Sequence, residues 1–210
     1  MPLRNVYFYL LLAIIVIGVG FGLKVFKNEK TSARLGKPSV AIKSYSTGTP
    51  EIGGDYSLIN QDGNAVSNET YLGKYVLIFF GYTFCPDVCP TTLTTFATAI
   101  DLLGKDAEKV KLVFITVDPA RDTPEILKSY LMHFQKHFDG LTGSIKQIEE
   151  VKKVFRIYAV RSQQDKVDNE NYLMDHSSIS YLLGPDGKFI TFFRYGAEAE
   201  VIVTKLKELL

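Results

Sequence analysis

The 210-residue chain carries two cysteines, Cys85 and Cys89, and three histidines, at positions 133, 137 and 176. With only two thiols no disulfide-stapled scaffold can form, so whatever the cysteines do they do as one local pair. Three residues separate them in the run Gly81-Tyr82-Thr83-Phe84-Cys85-Pro86-Asp87-Val88-Cys89-Pro90. Each cysteine precedes a proline, and the residue before a proline disfavours the α conformation. This predicts a loop, with Pro90 opening a helix and Cys89 near its cap. A thiol at a helix N-terminus is biased towards thiolate. A thiolate is both a nucleophile and a soft ligand, so the placement suits redox and metal chemistry alike. If the fold brings His176 to the pair, two thiolates and an imidazole suit trigonal Cu(I), and equally zinc with an open fourth position. A lone histidine is more often structural, so the neighbouring elements have to decide.

Those elements are legible in outline. Residues 56–60 and 65–67 flank Gln-Asp-Gly-Asn and predict a small hairpin. Residues 75–81 (YVLIFFG) form an apolar run expected of a strand buried on both faces, and residues 111–117 (KLVFITV) form a second. Between them, Leu93, Phe96, Ile100 and Leu103 give 91–103 helical spacing. Thr123 and Pro124 start a second helix, expected over 124–138, and 144–158 reads as a third. The polar stretch 161–171 is expected as an exposed loop or marginal hairpin. Residues 177–183, the turn Gly184-Pro185-Asp186-Gly187 and residues 188–194 predict a hairpin, and 198–210 a closing helix. Strand and helix in this order predict an α/β, thioredoxin-like mixed sheet flanked by helices. The cysteines then lie at the carboxyl end of a buried strand, where open α/β sheets bind ligands. The strand 177–183 packs beside that one and brings His176 to the loop.

The segments GYTFCPDVCPTTL, VDPARDTP and DHSSISYLLGPDGKF together resemble the Sco/SenC family of copper chaperones for cytochrome c oxidase assembly, over essentially all of 50–210 and the N-terminal hydrophobic run. The resemblance implies that Cys85, Cys89 and His176 hold one copper ion, as Cu(I) or Cu(II), and that the protein helps assemble the CuA centre of cytochrome c oxidase subunit II. It names no upstream copper donor. Two further activities fit the same residues: a thiol-disulfide oxidoreductase that reduces the target's copper-ligating cysteines, and a copper or redox sensor. Enzymatic turnover is not expected beyond such a secondary reductase activity. Thioredoxins place two residues between their cysteines and a cis-proline before the facing strand. Here three intervene, no proline occurs between Pro124 and Pro185, and His176 takes roughly that proline's place. The peroxidatic motif of peroxiredoxins is not matched.

Weaker candidates carry simpler readings. His133 and His137 are spaced to share a helix face, but no H-E-x-x-H pattern accompanies them, and surface histidines are the better expectation. Asp118 and Asp122 match the family's acidic motif, yet turn and cap roles explain both as well as a copper relay does. Asp87 and Asp175 neighbour the ligands and could orient His176, and Met174 could offer a thioether or simply pack.

Composition bounds the rest. A net charge of +1 and 46% hydrophobic residues mark an ordinary folded protein with no strong field for nucleic acid. Between Arg4 and Lys24 every residue is uncharged, a run long enough to span a bilayer. No A-x-A-like site comes after it, which favours an uncleaved transmembrane helix over a signal peptide. The expected division is an anchor over 1–26, a polar tether over 27–50 and a copper-binding domain over 51–210. Lys24, Lys27, Lys30 and Arg34 beyond the run argue by charge counting for a cytoplasmic domain. A signal anchor, however, exports the domain on its C-terminal side, and copper handling requires an exported site. The expected location is therefore the bacterial inner membrane with the domain in the periplasm, or the mitochondrial inner membrane facing the intermembrane space.

Overall fold

The computed structural model describes residues 51–134, 138–162 and 172–210. The expected anchor and tether, and most of the polar stretch 161–171, lie outside the described residues. Among the described residues no helix is long and apolar enough to cross a membrane. The described residues form one compact unit.

A seven-stranded mixed sheet is the centre of that unit. Its strands are β1 (Ser57–Asn60), β2 (Ala65–Ser67), β3 (Tyr75–Gly81), β4 (Val110–Thr116), β5 (Phe138–Thr142), β8 (Ile179–Leu183) and β9 (Phe189–Arg194), in the order β2-β1-β5-β4-β3-β8-β9. Strands β3, β4 and β5 are parallel, and β1 and β8 join their flanks antiparallel. A separate two-stranded ladder pairs β6 (Ala159–Arg161) with β7 (Met174–His176). The helices are α1 (Val88–Leu103), α2 (Pro124–Leu131), α3 (Ile145–Val154) and α4 (Ala199–Lys207).

Successive residues of a strand point to opposite faces, and β3 shows what each face carries. Phe79 packs edge-on against Phe96 of α1 and beside Phe114 of β4, which in turn meets Tyr130 of α2. Phe80 meets Phe155, just past α3, on the other face. Both phenylalanines are almost wholly buried. Helix α4 packs on α1. Helices therefore cover both faces of the sheet, the thioredoxin-like arrangement expected from the order of elements.

Four expectations need correction. Helix α2 ends at Leu131 and passes through a 3-10 turn at Met132–Phe134, and residues 138–142, unassigned beyond the start of that run, form the parallel strand β5. Gly140 makes that possible, because a Cβ there would strike Leu131 and crowd Leu127 of α2. Helix α3 stops at Val154 rather than 158. The amide of Arg156 bonds to Lys153 O and that of Ile157 to Lys152 O, with Arg156 at φ 54, a Schellman end built without the usual glycine. Helix α1 starts at Val88, so Cys89 and Pro90 both sit inside its first turn, where a missing amide hydrogen leaves no bond unmade. Finally, His176 belongs to β7, paired with Ala159, and β8 begins only at Ile179.

Candidate metal centre

The carboxyl ends of β3 and β4 lie side by side, with Gly81 opposite Thr116 and the Val117 amide bonded to Gly81 O at 2.8 Å. From Gly81 the chain turns through Tyr82, whose carbonyl accepts the Cys85 amide at 3.2 Å, and enters α1. The turn leaves Cys85 half-buried and Cys89 fully buried, both as free thiols. The space that Cys89 fills exists because residue 81 has no side chain. A Cβ there would lie 2.7 Å from Cys89 Sγ, 2.9 Å from Phe114 and 3.0 Å from Phe79.

His176 arrives from β7. Its Nε2 stands 3.7 Å from Cys89 Sγ, and its Nδ1 lies 3.1 Å from Ser177 O. A carbonyl only accepts, so Nδ1 donates to Ser177 O and leaves Nε2 facing the sulfurs, placed to bind a metal ion once it carries no proton. Tyr82 and Phe79 meet the imidazole edge to face, with centroids 5.7 and 6.2 Å away. The two Sγ atoms and one imidazole nitrogen lie within 4.8 Å of one another, and this is the group of possible metal donors found among the described residues.

The sulfurs are electrically unlike. The Cys89 thiol donates to Cys85, and His176 and the amides of Asp87 and Cys89 add to the effect, so Cys85 is pulled down to about 3 against the opposing effect of burial. The Cys89 thiol, donor in that bond and deeply buried, is pushed up. In the metal-free pair one negative charge therefore rests on the more exposed sulfur. A soft cation would displace the remaining protons and meet two thiolates and an imidazole nitrogen.

The acidic residues of the 118–122 segment support the site from behind. Asp122, fully buried, accepts from the Thr83 amide at 3.1 Å, the Thr83 hydroxyl at 2.6 Å and the Thr116 hydroxyl at 2.5 Å. It pins the cysteine loop to β4. Burial pushes its carboxyl up while those hydrogen bonds pull against the shift. Asp118 accepts from Arg121 Nε and from the Tyr172 hydroxyl. Neither carboxylate joins the donor group: Asp118 O closes the expected turn, whereas the helix cap is Thr123 and Asp122 instead braces the cysteine loop. His176 is oriented by the Ser177 carbonyl; Asp87 and Asp175 are exposed, and Asp87 interacts with Thr91 at 3.4 Å. Met174 is half-buried and packs on the core. His133 is exposed, with Nδ1 3.0 Å from Tyr130 O, and His137 lies outside the described residues. Sequence reasoning passed over Gly81, Thr83, Thr116, Arg121 and Tyr172. Gly81, Thr83 and Arg121 lie inside the very segments that carried the resemblance; Thr116 and Tyr172 gave no comparable signal.

The family model described as SCO1/SenC matches residues 44–210. An SCO2-like protein of Rickettsia felis is 37% identical over 203 residues, which are 97% of this chain and 97% of that one. The solved structure of Bradyrhizobium japonicum ScoI with copper bound is 43% identical, with a TM-score of 0.69 over 76% of this chain and 99% of that chain. The structure of BsSco, a member of the Sco family of cytochrome c oxidase assembly proteins in which a disulfide switch was identified, is 27% identical, with a TM-score of 0.59 over 75% of this chain and 93% of that chain.

Proposed function

The chain belongs to the SCO1/SenC family, and from that premise we propose that it is a membrane-anchored copper chaperone for cytochrome c oxidase assembly. It carries one copper ion, as Cu(I) or Cu(II), on Cys85, Cys89 and His176, and passes it to the CuA centre of subunit II. The observation that carries this reading is the convergence of two sulfurs and one imidazole nitrogen within 4.8 Å at the carboxyl edge of the sheet. A relative 43% identical to this chain has been solved with copper bound. Thiolates favour Cu(I), and the third donor broadens the site towards Cu(II). Zinc is the weaker occupant by the same softness argument.

A second reading is supported by the asymmetry of the pair. A half-exposed thiolate beside a buried thiol is the arrangement by which one cysteine attacks a disulfide and the other resolves the mixed intermediate. Under that reading the protein reduces the target's copper-binding cysteines and needs no histidine. An anaerobic copper titration of the detergent-solubilised full-length chain, beside Cys85→Ser, Cys89→Ser and His176→Ala, separates the two. We expect one copper per chain in the wild type and loss of tight binding in all three variants. Wild-type protein that binds no copper but reduces a disulfide substrate would replace the first reading by the second. Stoichiometric zinc retained against equimolar Cu(I) would overturn the choice of metal.

A further inference from the structure

Arg121 stands where the two halves of the donor set meet. Its guanidinium carbon lies 3.6 Å from the ring centroid of Tyr172, 4.5 Å from that of Phe84 and 5.8 Å from that of Tyr82. Its Nε donates to one oxygen of Asp118, and the Tyr172 hydroxyl donates to the other at 2.7 Å. Phe84 directly precedes Cys85. Tyr172 leads into β7, which ends on His176. One guanidinium thus touches the immediate neighbours of a sulfur ligand and the segment that delivers the imidazole, two stretches far apart in sequence. Arg161 of β6 lies over the Tyr172 ring as well, at 4.1 Å, so the same ring also ties β6 to the cluster.

We propose that Arg121 is a positioning residue of the metal site, a clamp that holds the His176 segment against the Cys85 loop by stacking between Phe84 and Tyr172. The inference rests on the copper reading given above and adds to it what keeps the third donor in place. Arginine suits the task because a planar guanidinium stacks on rings while its edge hydrogen-bonds a carboxylate, and lysine's ammonium cannot do both in that geometry. Little solvent reaches the pair, with the Arg121 and Asp118 side chains 12% and 5% exposed, so salt screens it weakly. The His176 backbone is held to β6, where it pairs with Ala159 and the Ser177 amide bonds to Tyr158 O at 2.9 Å, and the clamp adds a tie from that ladder to the residue directly before Cys85. The imidazole's Nδ1 contact is to the adjacent residue in sequence, and the Phe79 and Tyr82 rings flank it without fixing β7.

The clamp should be felt unequally by the two oxidation states. Thiolates alone select Cu(I), whereas Cu(II) draws on the imidazole as well. Loosening the His176 segment, unlike removing the imidazole, leaves a nitrogen that still reaches a Cu(I) already held by two thiolates, and therefore weakens Cu(II) retention more than Cu(I) retention. The test uses the full-length chain in detergent with Arg121→Lys, Phe84→Leu and the conservative Phe84→Tyr. Readouts are the thiolate-to-Cu(II) charge-transfer band, the nitrogen hyperfine coupling in the electron paramagnetic resonance spectrum, the Cu(II) release rate, and Cu(I) affinity by chelator competition. Arg121→Lys should release Cu(II) about tenfold faster and Phe84→Leu about threefold, the sizes of a largely desolvated and a half-exposed cation–π contact. Their nitrogen coupling should diminish and their Cu(I) affinity stay within about twofold of wild type by the same arithmetic. Phe84→Tyr, which keeps the ring, should restore wild-type behaviour. Phe84 is 51% exposed, so its variants report even if Arg121→Lys fails to fold. Variants with wild-type Cu(II) spectra and release rates would overturn the clamp, and so would an equal loss of both oxidation states. Wild-type protein that takes no copper would overturn the copper reading and the clamp together.

Discussion

In the reduced, metal-free site the bond between the two sulfurs lowers Cys85 and, with burial, raises Cys89, so one shared proton is expected on the buried sulfur. The sign of that difference can be tested by pH. An ordinary thiol, titrating near ~8.5, loses about tenfold in thiolate for each unit of pH below that. Cys85 is held down to about 3 by the Cys89 thiol, His176 and two backbone amides, so its thiolate persists throughout the range from neutral to about pH 5. Alkylation of the reduced apo-protein should therefore proceed at Cys85, not Cys89, at a rate nearly flat from pH 8 to about pH 5. A rate that falls tenfold per unit below pH 8 would refute the shared-proton description. The same sulfurs carry a second expectation. A sulfur bonded to another sulfur no longer donates as a thiolate, so copper loading and the Cys85–Cys89 disulfide should exclude each other. His176→Ala should lose copper yet still form the disulfide, whereas either cysteine-to-serine change should lose both. Copper stoichiometry and free thiols measured on the same oxidised and reduced samples decide it; an oxidised protein binding one copper with undiminished affinity would sink the exclusion.

At the level of elements, the site depends on how closely β3, β4 and α1 approach. Gly81→Ala would force a methyl group to 2.7 Å from Cys89 Sγ and 2.9 Å from Phe114. Such overpacking costs about 1–3 kcal/mol, and because the displaced atom is a donor, copper affinity should fall along with the melting temperature. Asp122→Asn turns an amide donor against the Thr83 amide and hydroxyl and the Thr116 hydroxyl, which now all donate to the carboxylate. An unmet buried donor costs about 1–3 kcal/mol, and chemical denaturation beside copper titration should show both stability and metal retention reduced. Unchanged denaturation midpoints would mean the cysteine loop is fixed by something other than Asp122. These supports were the part of the site least visible in the sequence. Cys85, Cys89 and His176 could be read because their residue types and their order among the motifs carry the chemistry. Thr83, by contrast, looks like any loop threonine until the strand order sets Gly81 beside Thr116. The same holds for the fold. Strands β3 and β4 and the β8–β9 hairpin announced themselves as apolar runs between turn residues, whereas β5 contains Asp139 and Gly140, both poor strand formers, and comes after a helix whose apolar stripe runs on into Phe138. Strands β6 and β7 have three residues each, too few to show a period, and α3 ends on Arg156 where a glycine would have marked the stop.

For the molecule as a whole, the remaining question is where this domain is held, and residues 5–23, outside the described residues, are the part of the chain that bears on it. Every residue of that run is uncharged, and at about 1.5 Å per residue a helix of its length reaches roughly 28 Å, close to the hydrocarbon thickness of a bilayer. A helix satisfies its own backbone hydrogen bonds, so apolar side chains of that length enter lipid without an unmet polar group. The full-length protein should therefore remain with membranes through carbonate extraction, with residues 27–50 as tether and 51–210 as the domain beyond it. Orientation sets two arguments against each other. The cluster Lys24, Lys27, Lys30 and Arg34 favours keeping the adjoining domain in the cytoplasm, while Arg4 is the only charged side chain on the other flank. Against this stands the proposed chemistry of the pair: a dithiol that is to alternate between copper and a disulfide is useful where disulfides persist, outside the reducing cytosol. We expect the second argument to prevail. In a bacterial host, protease added to spheroplasts should digest the domain without disruption of the inner membrane. Recovery of the full-length protein with an intact N-terminus in the soluble fraction would remove the anchor, and a domain protected in intact spheroplasts but cleaved after lysis would place it on the cytoplasmic side.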